Sequence, residues 1–278
     1  MHWGILVQLA CGLVGVVLLA GCTTIASPTG RRQYVGGVSQ QQLDQLGAQA
    51  FAEAKARQKL DTDGRQNAYV RCVVDALVAQ LPPQWRTAPW DVALFADDEP
   101  NAFALPGGKV GVNSGIFKVA RNQDQLAAVL GHEIGHVISH HHDERITRQR
   151  GAQAGVGLLS VLAGAAYGSG AADVAGQLGG SAAGVLMLPN SRTQEAEADV
   201  VGQRLMAQAG FDPAQATALW RNMVAAGGAR PPQWLSTHPD PQARIRELDR
   251  DAPALEPVYA AARAAGHRPR CGPVAPQH

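Results

Sequence analysis

The chain has few aromatic side chains, 5% of its 278 residues, and few charged ones, 17%. Scarce aromatics weaken any reading built on base stacking. Basic and acidic side chains nearly cancel, at 24 and 23, so no global field draws the chain to nucleic acid or to an anionic membrane. There is no internal repeat, which sets aside repeat architectures. Apolar residues nevertheless make up 46%, which argues against a disordered chain and leaves ample material for a packed core. Composition excludes these classes without naming a function.

Residues Gly4 to Ala20 form an apolar run broken only by Gln8, and the run leads into Gly21-Cys22. A short apolar segment closing on small residues reads as a secretory signal. Leu19-Ala20-Gly21-Cys22 resembles a bacterial lipobox, in which Cys22 would carry the lipid, although only His2 stands where Lys or Arg is usual. An uncleaved anchor is the alternative, the run being barely long enough to span. Thr23-Thr24 after the cysteine resembles a sorting signal for the outer membrane, so the expected location is periplasmic and lipid-anchored. With Cys11 in the leader, Cys72 and Cys271 remain. Two leftover thiols in an oxidising compartment suggest a disulfide, worth at most roughly 5 kcal/mol of chain entropy; two unpaired thiols are the other reading.

Residues 22–38, Gly-rich and basic from Pro28 to Val38, read as a tether. Ser39 with Gln42 has capping-box spacing ahead of a polar helix running to about Leu60. Val70, Val73, Val74, Leu77 and Leu81 recur at helical spacing until Pro82-Pro83. Trp90, Val92 and Leu94 then alternate, as do Val110 and Val112, which predicts a small antiparallel sheet. One helix is expected from about Asn122 to Arg150. Residues 151–188 carry a single charge, Asp173, and predict a Gly/Ala-rich hairpin, packed or lid-like rather than membrane-inserted. Ser191 with Gln194, Asp212-Pro213 and Asp240-Pro241 each mark a helix start.

His132-Glu133-Ile134-Gly135-His136 carries the chemistry. Residues four apart share a helix face, so both imidazoles reach one ion, and the intervening carboxylate lies beside that ion without having to ligate it. Zinc takes such a pair with a third protein ligand and keeps one position open. Glu195-Ala196-Glu197-Ala198-Asp199 offers that ligand: Glu195 and Asp199 share a face, and Glu197, roughly 160° around the helix, is expected to face solvent. Glu195 is assigned to the metal and Asp199 to orienting a histidine ligand. A solvated acidic face is the bland alternative.

His132-Glu-Ile-Gly-His136, Ser191-Arg-Thr-Gln-Glu195-Ala-Glu-Ala-Asp199 and Ser236-Thr-His238-Pro239, in that order, resemble the signatures of the family-48 zinc metallopeptidases. That group includes the HtpX-type, Oma-type and CAAX prenyl proteases, and Asn101 to Gly108 resembles the segment it places before the substrate-side strand. The likeness runs from about Trp90 to Leu248. It implies an α+β, mainly helical zincin-like domain over 39–250, with 151–188 as an insert, a small antiparallel sheet beside the metal-bearing helix and a tail over 251–278.

The resemblance also implies one Zn2+ per chain and hydrolysis of peptide bonds in unfolded or misassembled envelope proteins. Glu133 would be the general base. His238 would donate to the oxyanion, or else merely pack in its loop. Arg244 would assist or pair with a surface acid. His140 falls on the ligand face; His141 and His142 are expected to be solvated. If Lys109 to Val112 is an exposed edge, an extended substrate could add to it as a strand; an interior strand is the alternative. The implied partners are protein substrates, the membrane through a lipid anchor, and outer-membrane assembly machinery, with no nucleic acid. A rival reading keeps the fold and metal in a periplasmic chaperone or assembly lipoprotein that acts mainly by binding, and another makes the chain a metal-storing or structural lipoprotein.

Overall fold

The structure is a computed structural model in which residues 23–152, 186, 190–226, 238 and 240–272 are described. The apolar leader with Cys22, most of the expected Gly/Ala hairpin, and Ser236, Thr237 and Pro239 lie outside the described residues. These residues belong to two compact units, one formed by 23–40 with 143–152 and the other by the rest.

In the first unit, β1 (Thr23–Ala26) pairs antiparallel with β2 (Arg32–Val35). The segment read as a tether is therefore a hairpin. Its turn uses Gly30 at φ +83°, a conformation glycine adopts without steric penalty. Arg31 forks onto both carboxylate oxygens of Glu144 at 2.9 Å, and Gly37 N donates to Thr147 Oγ1 at 2.8 Å.

The second unit holds the core. After α1 (Gln40–Arg57), helix α2 (Gly64–Val78) starts where the Asp63 carboxylate accepts from Arg65 N and Gln66 N. It buries the predicted valine face, with Val70, Val73, Val74 and Leu77 fully inaccessible. Pro82 and Pro83 then introduce the short α3 (Pro83–Arg86). Three strands follow, β3 (Asp91–Phe95), β4 (Ala102–Leu105) and β5 (Lys109–Asn113), in the spatial order β3-β5-β4. The sheet is mixed rather than antiparallel: β5 runs parallel to β3 and antiparallel to β4. Lys109 to Val112 thus belong to the central strand and not to an exposed edge. Alternation of apolar residues reports which side chains are buried but not which strand lies in the middle. Gly107 and Gly108, at φ +76° and +70°, make the turn that returns β4 into β5.

Helix α4 (Gln123–Ile138), capped by Asn122, is buried continuously from Gln125 to Val137. A helix enclosed on every side must be surrounded, and α6 (Arg192–Gln208), α7 (Gln215–Ala226), α2 and β4 pack around it. The expected single helix to Arg150 is broken: Ser139 closes α4, His140 adopts φ +55°, and α5 occupies 141–152. The last helix, α8 (Pro241–Ala264), begins at Asp240, whose carboxylate accepts from Ala243 N, and runs past Pro253 and Pro257 through the segment read as a tail. Beyond it, Cys271 forms a disulfide with Cys72 of α2, and the Gln123 side chain bonds Cys271 N and Pro269 O.

Candidate metal centre

Two helices carry the candidate site, and glycine sets their separation. A Cβ on Gly202 of α6 would lie 2.7 Å from the Gly131 carbonyl carbon of α4, and one on Gly135 would lie 2.9 Å from Ala198 O. Only backbones lacking side chains at this crossing can approach so closely. The approach brings His132, Glu133 and His136 of α4 against Glu195 and Asp199 of α6. The capping box that starts α6, Ser191 with Gln194, places Glu195 in the first turn, as its sequence spacing predicts.

The His132 and His136 Nε2 atoms lie 3.0 Å apart. Glu195 reaches both, with Oε2 3.4 Å from His132 Nε2 and Oε1 3.3 Å from His136 Nε2. His238 adds Nδ1 at 2.8 Å from Glu195 Oε2 and 3.2 Å from His132 Nε2, while its Nε2 stands 3.5 Å from Glu133 Oε1. All of these side chains are buried. One donor atom from each of His132, His136, Glu195 and His238 falls within 4.8 Å of the others.

This donor set fits a divalent metal. Among the described residues Glu195 Oε1 is buried without a hydrogen-bond partner, an arrangement that is costly for a carboxylate oxygen unless a cation meets it. Imidazole nitrogens converging with a carboxylate oxygen are the donors preferred by zinc-type ions.

Each histidine is supported from behind. Asp199 Oδ1 lies 3.0 Å from His132 Nδ1, and because a carboxylate only accepts, His132 donates from Nδ1. Arg244 is not a surface partner but is buried, with its guanidinium 3.9 Å from the centre of the Trp220 ring. It donates from Nε to Asp199 Oδ2 and from Nη1 to Glu195 Oε2, both at 2.6 Å. Behind His136, His141 Nδ1 lies 2.7 Å from His136 Nδ1, and His141 Nε2 lies 3.1 Å from Glu197 Oε2. Asn190 Nδ2 approaches His136 Nε2 to 3.3 Å.

These contacts correct several expectations. Glu197, placed in solvent by the helical wheel, is buried, because α6 is covered on the side facing α4 and also beside it. His141 and His142 are buried too, since the chain turns at His140 before they are reached. His140 leaves the ligand face and packs its ring 5.3 Å from that of Trp85.

Electrostatics differ between the two histidines. Burial and the Arg244 charge disfavour protonation of His132, yet its bonds to Asp199 and Glu195 prevail and raise its pKa to about 9. His136 moves the other way, well below the ordinary value, chiefly through burial. Burial alone would raise Glu195, but His238, His136 and His132 pull it far below the carboxylate range. Asp199 is likewise lowered against the effect of burial, mainly by Arg244.

Residues 64–252 match the family described as peptidase family M48. The chain is 41% identical over 170 residues to the mitochondrial metalloendopeptidase OMA1 of Schizosaccharomyces pombe, covering 60% of this chain and 48% of that protein. With the Saccharomyces cerevisiae protein of the same name it shares 31% over 179 residues, 61% of this chain and 49% of the relative. The beta-barrel assembly-enhancing protease of Escherichia coli K12 is 35% identical over 176 residues, 61% of this chain and 36% of that protein. The chain thus spans about half the length of the two yeast relatives, and less of the bacterial one.

These relatives overturn the periplasmic, lipid-anchored location expected from the sequence. The two yeast proteins are mitochondrial by name, so the shared sequence is no mark of a bacterial envelope. Disulfides persist in oxidising compartments of several kinds, so the Cys72–Cys271 bridge does not single out a bacterial envelope. Of the residues on which that address rested, Gly4 to Cys22 lie outside the described part of the chain, and Thr23 and Thr24 belong to β1.

Proposed function

This chain belongs to peptidase family M48, and from that premise we propose that it is a zinc-dependent metalloendopeptidase hydrolysing peptide bonds in unfolded or misassembled proteins. One observation carries the reading: two imidazoles and a carboxylate from two helices converge on a single buried point, with a further carboxylate, Glu133, beside them.

His132, His136 and Glu195 would hold the ion. When bound, zinc would supply Lewis acidity toward the attacking water and the scissile carbonyl. Glu133 would accept the proton of that water and return it to the leaving amine, a role for which ligation alone has no need. His238, facing both Glu133 and Glu195, would donate a hydrogen bond to the oxyanion. Asp199 and Arg244 would keep His132 and Glu195 in position.

Substrate would add as a strand to β4 rather than to β5. Among the described residues β4 pairs with β5 alone in its sheet, and it packs beside α4. Main-chain pairing tolerates many sequences, which suits unfolded substrates. The name of the bacterial relative, an assembly-enhancing protease, agrees with a role in clearing misassembled proteins.

The test uses purified protein, its zinc content and casein digestion with and without chelator. Glu133→Gln is expected to keep its zinc while cleavage falls by at least 1,000-fold, about 4 kcal/mol of transition-state stabilisation. Unchanged cleavage refutes the mechanism. If native protein binds zinc and unfolded clients without cleaving them, the chaperone reading takes its place.

A further inference from the structure

His141 and Glu197 form a buried pair to which hydrolysis assigns no role, and one end of it touches a metal-ligand candidate. We propose that Glu197 and His141 act as positioning residues, a relay that fixes the tautomer of His136 so that its Nε2 presents a lone pair to the metal. The proposal rests on the metal-site reading given above.

The direction of the relay follows from donor chemistry. An ionised carboxylate only accepts, so the 3.1 Å contact between His141 Nε2 and Glu197 Oε2 is an N–H donated by His141. A neutral imidazole has one N–H, which leaves His141 Nδ1 as an acceptor. Its neighbour at 2.7 Å, His136 Nδ1, must then be the donor. With its proton on Nδ1, His136 has a bare Nε2, the atom lying 3.3 Å from Glu195 Oε1 and 3.0 Å from His132 Nε2. The opposite order would place a proton on His136 Nε2, among the donor atoms, where it would block ligation. The carboxylate at the far end therefore selects the competent tautomer across an intervening imidazole, where Asp199 does so for His132 by direct contact.

The backbone is shaped for this contact. On an unbroken helix His141, five residues after His136, would be turned roughly 140° away from it. The left-handed turn at His140, φ +55°, ends α4 and brings His141 back toward His136. A non-glycine side chain is sterically disfavoured in that region, and such conformations concentrate at functional sites.

The experiment uses the full chain, zinc-loaded, with 15N-labelled histidine. Long-range nitrogen–proton correlation is expected to place the His136 proton on Nδ1, with a nitrogen–nitrogen coupling across the hydrogen bond to His141. In competition with a chromophoric chelator, His141→Phe should bind zinc about 10- to 100-fold more weakly than the native chain, and Glu197→Gln less weakly than His141→Phe. A proton on His136 Nε2 in the loaded native chain overturns the relay without any mutation. So does native zinc affinity in both variants. A native chain that takes up no zinc overturns the metal-site reading together with the relay.

Discussion

His132 and His136 stand one helical turn apart on α4, yet opposite means hold them. His132 leans on charge: Asp199 accepts its Nδ1 proton, and Arg244 binds both Asp199 and Glu195. His136 leans on a second imidazole, with the nearest charge on that path displaced to Glu197. The pKa shifts run in opposite directions accordingly, up for His132 and down for His136. Two candidate ligands from one motif are therefore not a symmetric pair, and a mutation behind one should not mimic a mutation behind the other.

The largest expected effect lies on the charged side. Arg244→Ala leaves two buried carboxylates without their shared cation, a change that costs about 3–5 kcal/mol. Urea unfolding of the metal-free chain measures it. Glu197→Gln, which removes a charge rather than stranding one, should cost less than about 1 kcal/mol in the same assay; equal losses would erase the contrast. The sign of the pH dependence follows from Asp199. Its folded pKa is depressed, so its contribution is fully present above the ordinary aspartate value near 4 and is lost as pH falls through the depressed one. The metal-free native chain should lose stability across that acid window, and the Arg244→Ala chain much less.

Next in size, Asp199→Asn removes the charged acceptor from His132 and should weaken zinc binding by about 10- to 100-fold. The His136 tautomer should stay unchanged, and altered His136 nitrogen shifts would show that the two supports are coupled. The smallest effect belongs to His140→Gly. Relief of the left-handed backbone offsets the lost Trp85 contact, so stability should move by no more than about 1 kcal/mol while zinc affinity holds. A large loss would make the His140 ring, rather than the turn, the important element.

Much of this centre was legible in the sequence. The i, i+4 spacing of His132 with His136 and of Glu195 with Asp199 fixes faces without coordinates, and cap residues mark the starts of α6 and α8. The remainder depended on neighbours. A helical wheel supplies one solvent side, and so misplaced Glu197 on a helix that is covered more widely. The break at Ser139–His140 has neither glycine nor proline to announce it. For Arg244 the sequence left assistance at the site and pairing with a surface acid both open, and its burial shows only once Trp220, from another helix, lies against it. The central place of β5 follows from a parallel pairing that no local pattern encodes, although Gly111 between Val110 and Val112, with both faces of the strand enclosed, was a hint.

The Cys72–Cys271 bridge makes most of the polypeptide a closed covalent ring, its two cysteines standing 199 positions apart in sequence. A protease able to nick itself once anywhere inside that ring would release no fragment and would gain only the mass of one water. Electrophoresis without thiol would show an intact band, and only reduction would reveal the cut.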